Sequence, residues 1–406
     1  MEGIDKFELL PEPEDSRIMS AIDPSAVGFQ NEWRSEVTGW APRSAEPLPT
    51  LRRRKSVIAN GVLFALLVGV LLVVWDSGLL FIELNPPKSE WAVEQSELDE
   101  LADFGLSGEG IRVCMVDTGI DLSHSALSQV DVRFKDFLGS SNAPVDYGFI
   151  AHGTLMAGIL VSQEHQIGIA PNVTLAMAAA LGADENDLNS GTEETVADAI
   201  QWCQDAFNAD IISLSLGGEQ SVDMRTEGAS VSSVRRALDS GIYVVAAAGN
   251  DGGAEDDGLV SVPGNVPRVI TVGASTESQS VWVNSSAGSQ ILPDGSLRSS
   301  PHLKPEIIAP GQYIVSTGSD DTWFSSSGTS DSTVFVTGAL ALLLEAYPEY
   351  RPSSTSNGSC IDVVKTALMN SAYAYSSEVA HDNRWGYGQL QALSWYNELG
   401  LIDSSC

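Results

Sequence analysis

At 406 residues, 43% of them hydrophobic and 18% charged, the chain has room for one large buried core plus appendages and reads as globular over most of its length. Its 54 Asp and Glu against 21 Lys and Arg leave a formal net charge of −33, which repels nucleic acid and argues against it as a partner. Six of the basic residues are lysines. An acidic, lysine-poor surface suits a saline medium, where counterions screen its self-repulsion, and equally a strongly anionic extracellular protein.

Residues 1–56 are polar, with PEPEDS and EPLP clusters and no sustained periodicity, which predicts a mostly disordered, acidic tail. Arg52, Arg53, Arg54 and Lys55 precede 19 uncharged residues, 57–75, a length that crosses a bilayer as one helix. A secretory signal peptide fits worse, because the preceding 56 residues make a poor n-region and no A-x-A site follows. Asp76 and Glu83 lie on the far side of the segment. The positive-inside rule therefore predicts a single-pass protein of the cell membrane, with 1–56 cytoplasmic and 76–406 outside. The tail holds ten acidic and eight basic residues, so the acidity belongs to the ectodomain, in which 76–90 reads as a linker and 91–406 as the folded domain.

From residue 111 onward, apolar runs alternate with helical patterns. Segments 111–117, 173–181, 210–218, 242–250 and 268–274 are near-continuously apolar and predict strands buried on both faces. Segments 152–162, 195–207 and 232–240 predict helices between them. The alternation predicts an α/β fold with a mostly parallel sheet flanked by helices in three layers, and sites at the C-terminal ends of the strands. Cys114 and Cys203 fall in apolar runs and read as buried thiols, whereas Cys360 and Cys406 flank the C-terminal region and are candidates for a disulfide in an oxidising compartment.

Three short segments carry chemistry. Asp117-Thr118-Gly119 ends an apolar strand, His152-Gly153-Thr154 opens an apolar helix, and Gly328-Thr329-Ser330 stands just before another. A nucleophilic serine needs an imidazole to take its proton, and the imidazole needs a carboxylate to fix its tautomer. A serine at a helix N-terminus also sits among free N–H groups able to hold an oxyanion. Each tripeptide alone is a common turn or cap; the three together are not.

VCMVDTGIDLSHSAL, AHGTLMAGIL and SSSGTS resemble the three active-site blocks of the subtilisin-like serine peptidases, in their order Asp, His, Ser. ADIISLSLGG, GIYVVAAAGNDGG, LKPEIIAPG, LMNSA and GYGQLQA resemble further blocks of that family, so the likeness runs from about Trp91 to Ala392. It implies a membrane-anchored endopeptidase with a subtilisin-like domain over 91–406, acting on peptide or protein substrates. Ser330 would be the nucleophile, His152 the general base and acid, Asp117 its orienter, and Asn250 an oxyanion donor. Ser215, Leu216 and Gly217 would pair with substrate backbone. A catalytically weak or inactive peptide-binding scaffold is the alternative; an esterase fits worse, since G-T-S is not the G-x-S-x-G elbow. The small or apolar residues near 214–218 and 246–250 suit an apolar substrate side chain, and the acidic surroundings favour basic substrates through steering.

Departures from the family pattern matter. After the serine the family usually reads Met-Ala with a proline four residues on, where this chain has Asp331-Ser332-Thr333-Val334. Asp331 either raises the pKa of His152 and opposes the oxyanion, or points away and caps the helix; the second is the simpler expectation. Leu155 stands where a second histidine is frequent. The 15 residues of 76–90 leave no space for the usual folding propeptide, which implies unassisted folding or a helping partner. No cofactor is required; calcium is conceivable at Asp251 and Glu255-Asp256-Asp257, but the family's calcium-binding insertion after the histidine helix is missing. His124, His165, His302 and His381 lack ligand spacing and read as surface or packing residues. Nothing in the sequence sets the oligomeric state.

Overall fold

The computed structural model describes residues 50–76 and 89–406, apart from 164–167, 219–227, 255, 293–294, 353–357, 375–378 and 403–405. The tail over 1–49, most of the linker, His165 and Glu255 lie outside the described residues. The chain divides into two units, Met1–Leu84 and Asn85–Cys406.

In the first unit one helix, Thr50–Asp76, takes in the whole apolar segment. Its described large apolar side chains, from Val57 to Val70 and at Val73, are all exposed. Among the described residues no helix is long and apolar enough to cross a membrane.

The second unit is built on a seven-stranded sheet. Its strands are β1 (Arg112–Asp117), β2 (Val132–Asp136), β3 (Thr174–Ala179), β6 (Ile211–Leu214), β7 (Tyr243–Ala247), β8 (Ile270–Ser275) and β9 (Ile307–Pro310). Two short pairs stand apart from it, β4 (Gly182–Ala183) with β5 (Asn189–Ser190) and β10 (Gln312–Thr317) with β11 (Trp323–Ser327). The sheet order is β2-β3-β1-β6-β7-β8-β9, and every neighbouring pair is parallel. Every residue of β6 to β9 is buried, as parallel strands covered on both faces require. The five strands expected from the apolar runs all form. The edge strand β2, strand β9 and the β10–β11 hairpin do not stand out in the sequence. Residues of β2 alternate between half-buried and exposed, and β11 is a serine-rich run.

The helix His152–Val161 packs on the helix Thr329–Ala346, and the latter lies across β6 to β9 with all but its last two residues buried. A second pair, Glu193–Trp202 and Ala229–Asp239, packs together and against β1 and β7. The first of these continues into a π-helical turn over Cys203–Phe207.

A buried polar cluster fastens β8 and β9 to the helix Ser359–Ser371. Lys304 and Lys365 Nζ donate to the Val269 carbonyl, each at 2.8 Å, and both ion-pair with Glu306, at 2.9 and 2.6 Å. All three side chains are buried, so the lysines hold Glu306 below the usual carboxylate range against the upward push of burial.

All four cysteines are paired, Cys114 with Cys203 and Cys360 with Cys406. The reading of Cys114 and Cys203 as free thiols is thus corrected. One lies in β1 and the other just after a helix that packs beside β1, 89 residues away, so sequence spacing does not bring them together. His124, read as surface or packing, is fully buried: it accepts from the Ala126 N–H and its Nε2 lies 3.0 Å from the Thr322 carbonyl.

Cys114–Cys203 is buried at both ends, whereas Cys406 is exposed. A mild thiol reductant in native buffer is expected to open Cys360–Cys406 and leave the core bridge intact until denaturant is added. Alkylation with mass spectrometry reads this, and equal opening of both bridges in native buffer contradicts it. Replacing Cys114 and Cys203 together should cost about 2–5 kcal/mol in a denaturant titration.

Candidate active site

Three elements converge at the C-terminal end of β1. Asp117 closes the strand, and Gly119 turns the chain with φ 126°, a conformation that L side chains rarely adopt. A side chain on Gly153 would run into the Gly119 carbonyl, so the two motif glycines allow the His152 helix to start against the β1 turn. Thr118 Oγ1 accepts from the Gly153 N–H at 2.8 Å, and Asp146 accepts from the N–H and hydroxyl of Thr154 at 2.8 and 2.6 Å. These bonds hold a strained entry: Ile150 and Ala151 both sit at φ 53°, which costs on the order of 1–3 kcal/mol each.

The result places His152 Nδ1 2.7 Å from Asp117 Oδ1, which also accepts from the Thr118 N–H at 2.7 Å. Burial disfavours the imidazolium, but the charge and hydrogen bond of Asp117, followed by the charges of Asp331 and Asp146, outweigh it and raise the His152 pKa to about 9.

Ser330 lies in the first turn of the Thr329–Ala346 helix, where N–H groups have no helical partner. Its hydroxyl donates to the Ser215 carbonyl at 3.2 Å, while Ser215 Oγ donates back to the Ser330 carbonyl at 3.1 Å. Among the described residues Ser330 makes no hydrogen bond to His152, so the serine–imidazole bond expected of a primed nucleophile is not formed in this state. Both side chains line one cleft of about 550 Å³.

Asn250, just beyond β7, is exposed in that cleft, and its Oδ1 accepts from the Thr329 N–H at 2.9 Å and the Thr329 hydroxyl at 3.0 Å. Fixing the oxygen in this way turns Nδ2–H₂ away from Thr329 and leaves it free to donate beside the Ser330 N–H. The role of Thr329 was not read from the sequence, although its place before the serine was a clue.

Ser215, Leu216 and Gly217 form one wall of the cleft. Gly218 and Val262 exchange two backbone hydrogen bonds of 2.9 Å, which pins this wall just past Gly217. Among the described residues the backbone groups of Leu216 and Gly217 have no partner, so they offer a free edge to an added strand. The opposite wall, Asn189 to Glu193, escaped the sequence reading. Its one signal was the cap preceding the apolar helix, where Thr192 Oγ1 accepts from the Thr195 N–H at 3.1 Å. Glu193 brings a carboxylate to the cleft, held by the Ser230 N–H at 2.9 Å.

Asp331 departs from expectation. It neither points away nor caps the helix, but is buried against β11, where the Ser326 hydroxyl donates to its Oδ1. Burial raises its pKa to about 7, against the lowering pull of Ser326 and of the His152 charge.

The sequence matches the profile of the subtilase family, peptidase S8, over residues 108–388. The chain belongs to the subtilase family. Subtilisin E of Bacillus subtilis is 31% identical over 309 residues, 73% of each chain. The serine protease AprX of the same organism is 31% identical over 337 residues, 74% of this chain and 70% of its own. Among solved structures, a mutant of the protease domain of PatA superposes with a TM-score of 0.58 at 26% identity, covering 73% of this chain and 97% of that one. The prenylagaramide maturation protease PagA gives 0.58 at 24%, covering 74% and 98%, and shares the fold. As a subtilase the protein is a serine peptidase that hydrolyses peptide bonds. Among the described residues no three His, Cys, Asp or Glu side chains are grouped to hold a metal ion.

In this subtilase the imidazole of His152 is expected to keep its proton into alkaline solution. An NMR titration of the labelled histidines should give His152 a midpoint well above the ordinary value near 6.5 and approaching 9. Asp117→Asn should lower that midpoint by about one unit or more. An ordinary midpoint in the folded protein contradicts the arrangement.

Proposed function

We propose that the protein is an anchored endopeptidase that cleaves extracytoplasmic proteins through Asp117, His152 and Ser330 and an acyl-enzyme. The observation that carries the reading is the 2.7 Å Asp117–His152 contact in the cleft that Ser330 and Asn250 also line. For attack, the Ser330 hydroxyl swings from the Ser215 carbonyl to His152 Nε2 and gives up its proton there as Oγ bonds the scissile carbon. Asp117 keeps the proton on Nδ1 and stabilises the imidazolium. Asn250 Nδ2 and the Ser330 N–H donate to the oxyanion. His152 then protonates the departing amine, and water, deprotonated by the same imidazole, hydrolyses the acyl-enzyme. Ser215, Leu216 and Gly217 grip the substrate backbone as an added strand, and the apolar walls at Leu181, Leu216, Val196 and Val262 take an apolar side chain.

Anchoring rests on the sequence, on the 19 uncharged residues of 57–75 and the basic residues before them. The exposed apolar side chains of the helix Thr50–Asp76 call for a non-aqueous cover. Two disulfides support an oxidising, extracytoplasmic site for the catalytic unit.

Full-length protein is expected to hydrolyse a peptide amide and to react with a fluorophosphonate probe, with both lost in Ser330→Ala. Asn250→Ala should reduce kcat by a factor of about a hundred to a thousand, the effect that losing one such donor has in a subtilisin. A folded wild type that neither cleaves nor labels would leave a peptide-binding scaffold as the better account. For the anchor, the full chain should float with liposomes in a density gradient, and a chain starting at residue 76 should not; co-flotation of the truncated chain refutes the helix as anchor.

A further inference from the structure

Asp331 is the charged residue nearest in sequence to the nucleophile, and the triad makes no use of it. It is 1% exposed, in the same helical turn as Ser330. A Cβ placed on Gly328 would lie 3.6 Å from Asp331 Oδ2, 3.6 Å from the Ser330 nitrogen and 3.4 Å from Asn250 Nδ2. The Asp331 carboxylate therefore turns one oxygen toward Gly328, which the Ser330 nitrogen and Asn250 Nδ2 also border, while the other is tied to Ser326 of β11. No Lys or Arg among the described residues pairs with it.

We propose that Asp331 is a positioning residue, a second acidic partner that holds His152 in its charged form and so confines cleavage to alkaline conditions. The proposal rests on the reading of His152 as general base. Around Asp331, the helix that carries Ser330 contributes no cation, β11 contributes the Ser326 hydroxyl, and His152, which lines the same cleft as Ser330, is the one charged group acting on it. Around His152 stand Asp117 at the end of β1, Asp331 on the serine helix and Asp146 in the preceding loop. All three act in the same direction, and Asp331 is the one that the family pattern does not contain.

The consequence has a definite sign. A general base must be neutral, so kcat/KM rises as pH climbs through the midpoint of His152, raised to about 9. Asp331 loses its own proton lower, at about 7, so in between the pair stands as carboxylate and imidazolium. In that interval the base is blocked. Once the imidazole is neutral, the ionised Asp331 still opposes the developing oxyanion and lowers the plateau.

The test is the pH profile of kcat/KM for a peptide amide between about pH 5.5 and 10.5, using full-length wild type, Asp331→Asn, Asp331→Met and Asp331→Glu, with the melting temperature of each recorded. Asn retains an acceptor for Ser326, and Met is the residue usual at this place in the family. Both neutral variants are expected to move the alkaline-rising limb down by about one pH unit or more, giving about a tenfold gain at pH 7, with a higher plateau. Glu should keep the wild-type limb. His152 is titrated by NMR in Ser330→Ala with and without Asp331→Asn, and its midpoint should fall by the same amount. An unchanged limb and midpoint in either folded neutral variant overturns the proposal. If the wild type neither cleaves nor labels, the assignment of Ser330 fails instead, and the NMR titration still decides whether Asp331 governs His152.

Discussion

The helix Thr329–Ala346 is the constraint on which the site depends. Sixteen of its residues, from Thr329 to Leu344, are buried, so every polar side chain on it has to find a partner inside the protein. Five of the six do so on other elements, and Thr333 bonds the Thr329 carbonyl of its own helix at 2.8 Å. Thr329 bonds Asn250 after β7, Ser330 bonds Ser215 after β6, Asp331 bonds Ser326 of β11, Ser332 bonds the Ala309 carbonyl of β9 at 2.9 Å, and Thr337 bonds Ser213 of β6 at 3.1 Å. The bonds that satisfy the buried helix are the same ones that set the proposed nucleophile, oxyanion donor and substrate wall in register. Because the apolar remainder of the helix is locked across four strands, its first turn has little freedom to adjust.

The second half of the site reaches the same point by backbone approach. Asp117 and His152 are 35 residues apart and meet because Gly119 and Gly153 bring the strand turn and the helix start together. The histidine arrives through two residues with left-handed backbone, a local cost that the bonds to Thr118 and Asp146 offset. Strain of this kind is stable only where the surroundings over-determine it.

How much of this was legible follows from what each feature depends on. The buried strands announce themselves because burial on both faces demands continuous apolar runs, and the three tripeptides do so because turn and cap chemistry is local. Asn250 came from the resemblance of GIYVVAAAGNDGG to a family block and not from any local signal of its own. The features that were missed are products of tertiary contact. Strand β2 lies at an edge and is only partly buried, so its pattern is weak. The hairpin β10–β11 is held by side chains such as Ser316 and Thr317, which bond the Leu155 and Thr154 carbonyls of the histidine helix at 2.7 and 2.8 Å. The Cys114–Cys203 pairing depends on a helix returning beside β1, and the far wall of the cleft on a short β4–β5 pair. The orientation of Asp331 could not be read from its position at a helix start, because capping and burial against β11 use the same residue type at the same place.

Two buried acids show how one sequence handles the same cost in opposite ways. Glu306 is enclosed with Lys304 and Lys365 and takes bonds from both, so its charge is held permanently. Asp331 has a hydroxyl, the start of a helix and a histidine that itself titrates. The first arrangement fixes a structure, since both ammonium groups bond Glu306 and the Val269 carbonyl at once. The second leaves one proton to be divided between a carboxylate and the imidazole proposed as general base. A buried acid without a permanent cation is expensive to keep ionised, and here the cation that lowers that expense is His152, the proposed general base. The stability of the charged pair and the readiness of the base are therefore in direct opposition, and the balance is set by Asp117, which acts most strongly on His152, together with Ser326 and Asp331.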